Sequence, residues 1–216
     1  DILLTNATPL LQSFTQTGGR LTFSNWTTRL QAVTVRLDAG TLTHTGPSGV
    51  DEMSNRVWIA CTDFTLGTNA SISVDARGYK AAQGPGAGGS SSGGGGGGHG
   101  GIGGLPYGKS PLAPGAANGD ARFPGSPGSG GGLAVGGAGG GVVRIDCTGQ
   151  ATLFGTIQAA GGKAGQDAGG GSGGSIWLSC QGLSIHSDGL LSAPGGAGQD
   201  TGAGGGGGGG GRIAVL

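Results

Sequence analysis

Several short stretches of this chain carry residues that could do chemistry. Gly103-Gly104-Leu105-Pro106-Tyr107-Gly108-Lys109-Ser110 fits G-x-x-x-x-G-K-[ST], a pattern whose backbone N–H groups cradle phosphates. That use needs a buried strand before the loop and a helix after it. Polyglycine precedes it here and Pro111-Leu112-Ala113-Pro114-Gly115 follows, so nucleotide binding is not expected. Gly170-Gly171-Ser172-Gly173-Gly174 fits G-x-S-x-G, the turn that presents a nucleophilic serine. It also lacks its strand–turn–helix, and the candidate bases His44, His99 and His186 lie in unrelated contexts. His99, inside a glycine run, reads as a spacer or surface contact.

Gly195-Gly196-Ala197-Gly198-Gln199-Asp200 echoes the start of the calcium-binding repeat G-G-x-G-x-D-x-U-x, but Gly202 stands where a large apolar residue is needed. Asp167 and Asp200 are the weak calcium candidates, and the preferred reading is that each makes a turn by bonding its own backbone. No other metal site and no cofactor is expected. Catalysis on a glycosidic bond wants two placed carboxylates. Glu52 is the only glutamate, and the outward Asp63, Asp75, Asp146 and Asp188 are scattered, so the chain reads as a non-enzyme.

The surface feature that stands out is a set of three residues, Trp58, Arg144 and Trp177. It emerges when Val57-Trp58-Ile59-Ala60-Cys61, Val143-Arg144-Ile145-Asp146-Cys147 and Ile176-Trp177-Leu178-Ser179-Cys180 are laid over one another. Alternate residues of a strand face opposite ways. One face then stacks Val57/Val143/Ile176, Ile59/Ile145/Leu178 and the three cysteines as core. The other stacks Trp58/Arg144/Trp177 outward, with a guanidinium between two indoles. Two readings stay open for that column: a ladder that stiffens the sheet or packs under a glycine layer, which is preferred, and a flat platform for sugar rings. The cysteines read as small buried hydrophobes; a Cys147–Cys180 disulfide is compatible with the spacing of neighbouring strands.

The elements that position these residues follow a repeat. Cys147 and Cys180 are 33 residues apart, as are the Gly-Gln-Asp triplets beginning at Gly165 and Gly198. Each copy runs glycine tract, short alternating strand, polar turn, second short strand, Ala-x-Gly-Gly, glycine tract. A fixed period marks units that bury their apolar faces against neighbours, and like residues on strands about 4.8 Å apart predict a parallel β-helix or β-solenoid. Residues 1–31 read as an opening strand or cap and 32–77 as the first rungs, with two short strands around the Asp38-Ala39-Gly40 turn. Residues 78–141 form a glycine-rich excursion, and 142–216 two further repeats and a truncated last strand.

Glycine supplies 58 of the 216 residues, and 11 basic against 11 acidic residues leave no net charge. No basic run is available to displace counterions from nucleic acid, and no apolar stretch approaches the roughly 20 residues of a membrane span. The glycine tracts recur in phase with the strands, which points to ordered parts rather than a linker. The expectation is extended three-residue-per-turn helices of polyproline-II type, packed where missing side chains let backbones approach. Leu105, Pro106, Tyr107, Leu112, Phe123, Leu133 and Val135 are candidate anchors for the excursion. Asp1 reads as a processed start or the edge of an excerpt, and the uncapped last strand, Arg212–Leu216, suggests a larger parent.

The turn Ala76-Arg77-Gly78-Tyr79, the long glycine-rich excursion, Gly-Gly-Gly-Val-Val-Arg-Ile, Gly-Gly-Ser-Ile-Trp and the closing Gly-Gly-Gly-Gly-Arg-Ile-Ala-Val together resemble a repeat of very large bacterial secreted and surface proteins of adhesin-like type. The likeness covers roughly Ala32 to the end. A fainter one, of composition, is to glycine-rich adhesins at phage tail-fibre tips. The first resemblance implies an extracellular or cell-surface structural and adhesive module, and the open strand Arg212–Leu216 points to self-association into a fibre or trimer. The alternatives are a carbohydrate- or receptor-binding tip that uses the tryptophan column and the Leu105–Phe123 loop, with a surface glycan as partner, and, less favoured, a polysaccharide lyase-like enzyme.

Overall fold

A computed structural model describes residues 1–49, 53–90, 93–106, 113–199, 202 and 204–216. Among them lie eleven strands and no helix: β1 Ile2–Leu4, β2 Leu11–Phe23, β3 Leu30–His44, β4 Val57–Ser73, β5 Val142–Cys147, β6 Gln150–Leu153, β7 Thr156–Gln158, β8 Ser175–Ser179, β9 Gly182–Ile185, β10 Leu190–Ser192 and β11 Arg212–Val215. All pair in parallel in one sheet of order β1-β2-β3-β4-β5-β8-β11. The sheet branches at β4, whose 17 residues pair with β5, β6 and β7 in turn. β9 then continues β6, and β10 continues β7.

The all-β, parallel part of the expected fold stands; the β-helix or β-solenoid with polyproline-II-type helices beside it does not. Equal rungs were expected from the 33-residue period, but β2 to β4 are single strands of 13, 15 and 17 residues, whereas β5 to β11 have three to six. The expected turn at Asp38-Ala39-Gly40 is instead a register shift between Leu37 and Ala39, after which β3 runs on. Bulges of this kind bend a strand without ending it. Bending is required, because the six residues from 24 to 29 join β2 to β3. A straight 13-residue strand would span roughly 43 Å, beyond the reach of so short a connection.

No polyproline-II helix is seen in the glycine-rich segments among the described residues. The glycine runs carry no regular element, and residues at positive φ, Ala82, Gly84, Gly119, Leu133, Asp167 and Gly204, turn the chain between them. The tracts are instead irregular segments tied amide to carbonyl across long sequence distances. Gly97 N–H donates to Gly170 O at 2.9 Å, Gly209 N–H to Gly97 O at 2.8 Å, Gly173 N–H to Gly209 O at 3.0 Å and Gly137 N–H to Gly169 O at 2.9 Å. A Cβ on Gly94 or Gly171 would fall within 3.0 Å of a facing backbone, so side chains larger than hydrogen are excluded there.

Side-chain alternation decides the core. Val57, Val143 and Ile176 align in register, as do Ile59, Ile145 and Leu178, and all six are fully buried. Phe64 lies between Val35 and Ala151, so a large ring meets a small partner on one side. Cys61 and Cys147 are register partners and buried, while Cys180 falls just past β8 and is half-buried. All three thiols are free. Cys147 Sγ donates to Thr62 O at 2.9 Å, and burial pushes the Cys61 and Cys180 thiols upward, with Cys147 adding to both shifts.

Candidate functional site

Register brings Trp58 opposite Arg144 and Arg144 opposite Trp177 on the outward face of β4, β5 and β8. The Arg144 guanidinium carbon lies 5.3 Å from the Trp58 ring centre and 5.9 Å from that of Trp177. Asp146, two residues along and therefore on the same face, accepts from Arg144 Nε at 2.8 Å and from Trp58 Nε1 at 2.8 Å. That carboxylate fixes both the guanidinium plane and the indole edge.

The column is longer than the three residues the repeat exposes. Arg56 covers Trp58 at 4.1 Å and Trp26 at 4.6 Å, and Arg29 covers Trp58 at 4.8 Å. Phe123, from the long excursion, stacks on Trp177 with centres 5.6 Å apart and planes at 24°. Of the two added arginines, Arg56 was readable, being two positions before Trp58 and hence on its face; Arg29 directly precedes Leu30, whose pairing with Ile59 the structure reveals. Trp26 and Phe123 lie in connections; Phe123 was expected as an anchor of the excursion and part of a contact loop, and no pattern pointed to Trp26 as a member of the column.

Each ring–guanidinium contact contributes about 0.5–1 kcal/mol when exposed. Three cations are gathered around one carboxylate among the described residues. The Arg56 guanidinium is accordingly pushed down to about 10, first by burial and then by Arg144, with Asp146 opposing and Arg29 adding. It remains charged at neutral pH. Arg29 Nε, Arg56 Nε and Trp177 Nε1 are buried donors with no acceptor among the described residues. Between the column and the 123–125 turn lies a cleft of about 250 Å³, lined by Arg56, Phe123, Pro124, Val142, Arg144 and Trp177.

Asp167 sits in a turn at φ 52°, its carbonyl accepting from Gly94 N–H at 2.9 Å. Asp200, its proposed calcium partner, lies outside the described residues, as do Glu52 and Lys109-Ser110 of the phosphate-loop match. Among the described residues no group of three His, Cys, Asp or Glu is placed to hold a metal. Ser172 of the G-x-S-x-G match is buried and latched to Ser129, whose N–H it accepts at 2.8 Å. No helix among the described residues is long and apolar enough to cross a membrane.

The expected anchors hold in part. Phe123 stacks on Trp177 of β8 and Pro106 is buried, whereas Leu105 and Val135 are exposed, Leu133 is half-buried, and Tyr107 and Leu112 lie outside the described residues. Polar groups do the rest of the fastening. His99, read as a spacer or surface contact, is fully buried, with Nδ1 3.1 Å from Asn118 Oδ1 and Nε2 2.9 Å from Ser175 Oγ at the start of β8. Asn118 Nδ2 donates to Gly98 O at 2.8 Å, which turns its oxygen to the imidazole and assigns the proton to Nδ1. Arg212 of β11 closes the knot by donating to Asn118 O at 2.9 Å. Serine, histidine and asparagine in this order can activate a nucleophile. Here Ser175 is fully buried and its one hydroxyl proton is shared between His99 Nε2 at 2.9 Å and Ser126 O at 2.6 Å, so the set ties the excursion to the sheet.

Comparison with protein-family models, with curated proteins and with solved structures finds no match.

Proposed function

We propose that the chain is a non-enzymatic structural and adhesive module of a bacterial surface or secreted fibre protein, acting outside the cell. The observation that supports this reading most is the backbone-to-backbone bonding of the glycine segments, which draws residues 94–98, 128–141, 161–174 and 205–211 into one body with the sheet. A chain fastened through its own peptide groups offers a protease few free extended stretches. Three of the four outward aspartates support a non-catalytic role because they are engaged structurally. Asp63 accepts from Gln150 N–H at 3.0 Å, Asp75 from Ala160 N–H at 2.7 Å, and Asp146 is held by Trp58 and Arg144.

Native-state hydrogen exchange tests the reading. The amides of Gly94–Gly98 and Gly169–Gly173 should be protected as strongly as those of β4. Exchange of these glycines on the timescale of a free peptide, with β4 still protected, would reject a stiff module. Self-association into a fibre or trimer belongs to the same proposal, and electron microscopy of the purified chain would reveal it.

The cleft beside Trp177 favours a second reading, a tip that recognises a surface glycan or receptor. Glycan-array binding that disappears in Trp177→Ala, with the fold intact, would select the tip over the shaft.

A further inference from the structure

The residues around the cleft differ in what they offer a ligand, and the imbalance has a direction. On one side stand hydrogen-bond donors in excess: of the two guanidiniums that line the cleft, Arg144 is paired with Asp146, which Trp58 also uses, and Arg56 has no ion-pair partner among the described residues. Of the residues lining the cleft, Arg56 Nε and Trp177 Nε1 have no acceptor among the described residues. A buried N–H without an acceptor is costly, and with the unpaired Arg56 charge beside it the face is complementary to oxygen acceptors bearing negative charge. On the other side the wall is flat and apolar, made by the Phe123–Trp177 stack with Pro124 and Val142.

Phe123 is 65% exposed and rides on a turn held by Asp120 Oδ1, which accepts from Arg122 N–H at 2.7 Å. A ring so exposed, backed by an indole, is free to meet an incoming flat face. The space, about 250 Å³, lies just under the usual range of roughly 300–1,000 Å³ for small-molecule sites and suits a compact ligand.

A ligand that satisfies both walls carries a carboxylate and an apolar ring face within a few ångströms of each other. A sugar acid does so on a single pyranose, through its carboxylate and its C–H face. An aspartate or glutamate side chain supplies the carboxylate without the ring face, and a neutral sugar supplies the ring without the charge. We infer that the cleft between Arg56, Arg144, Trp177 and Phe123 binds an acidic saccharide, with the carboxylate on the Arg56 and Arg144 guanidiniums and the ring against Phe123 and Trp177. The fork of an arginine matches the two oxygens of a carboxylate. The inference rests on the recognition reading of this face and narrows it to one class of glycan.

Calorimetric titration of the whole chain with a uronic-acid tetrasaccharide tests it, beside the carboxyl-reduced neutral tetrasaccharide, tetraglutamate and sodium sulfate. The tetrasaccharide should bind with Kd below about 1 mM and weaken several-fold in about 0.5 M salt, where exposed charges are screened. Arg56→Gln should weaken it about tenfold or more and Phe123→Ala several-fold, the losses expected of a charge partner and an aromatic wall. Phe123 is exposed, so its variant keeps the test valid if Arg56→Gln unfolds, which thermal melts would show. Neutral and acidic saccharides binding within about twofold of each other would overturn the acidic preference while leaving glycan recognition standing. Tighter binding of tetraglutamate would move the site to acidic peptides, and equal binding of sulfate alone would reduce it to an anion patch; either overturns the inference. Binding of none of the four, with glycine amides still protected, removes the acidic-saccharide site and leaves the structural module in place.

Discussion

The sheet and the glycine segments solve one problem with opposite residue choices. In the sheet, adjacent strands are separated by the backbone ladder, and side chains fill the interior: Val57, Ile59, Phe64 and Ile145 are fully buried. In the glycine segments the backbones themselves are the packing surface, and Gly94, Gly97 and Gly171 each face a neighbouring main chain closely enough to exclude a Cβ. The first region is held by apolar area removed from water, about 25 cal/mol per Å². The second has almost no such area and depends on peptide hydrogen bonds, each contributing about 0.5–1.5 kcal/mol net, against the high ordering cost of glycine. The difference teaches that a segment without side chains is still specified when the exclusion of side chains is what fits it to its neighbour.

Two substitutions break the comparison from either side. Phe64→Ala empties the space between Val35 and Ala151 and should lower unfolding free energy by about 4 kcal/mol in urea titration. A loss under about 1 kcal/mol would mean the ring is not core. Gly171→Ala adds one carbon against Ala138 O and should lower stability by about 3 kcal/mol, because the obstacle is main chain that cannot rotate away. Gly210→Ala, where nothing lies within 4 Å, should be neutral within about 0.5 kcal/mol. Equal effects at the two glycines would show that the tract is not packed.

The sheet was the legible part because alternation is a local signal. Val57-Trp58-Ile59-Ala60-Cys61 and its two counterparts declared their inward and outward faces, and the register pairs Val57 with Val143 and Val143 with Ile176. Strand length was not legible: a Gly or Asp inside β3 or β4 looks like a turn in sequence, whereas a bulge lets the strand continue. The glycine path was opaque for a different reason. Identical residues carry no record of which neighbour each one meets, so only their recurrence was visible. Of the candidate site, the Trp58/Arg144/Trp177 core came from the repeat. Phe123 and Trp26 reach it through connections, where sequence distance says nothing about spatial distance. His99 was misjudged because a lone histidine in polyglycine has no local partner; its partners Asn118 and Ser175 are 19 and 76 residues away.

His44 sits where the two regions meet, and its titration sharpens the contrast between them. It ends β3, paired with Phe23, and is buried against Gly141, the last glycine before β5. Its Nδ1–H donates to Thr45 O at 2.6 Å, and its Nε2 accepts from Val142 N–H at 3.2 Å. Nε2 can accept only while unprotonated, so the joint requires the neutral ring. Burial pushes the imidazole from 6.5 down to about 4; Arg77 lowers it further, and the bond to Thr45 opposes both. His99 is shifted the same way, by burial first and with Arg212 adding. The unfolded chain takes up a proton on His44 below pH 6.5, while the folded chain does so only near 4. Stability is therefore full above the first value and falls as pH drops toward the second, by about 2–3 kcal/mol from His44 alone. His44→Gln should be less stable at pH 7 yet show a flatter decline from pH 6.5 to 4 in urea midpoints, and hydrogen exchange should report the loss first at Gly139–Val143. An unchanged slope in the variant would mean that the joint between sheet and glycine layer is held by something other than this imidazole.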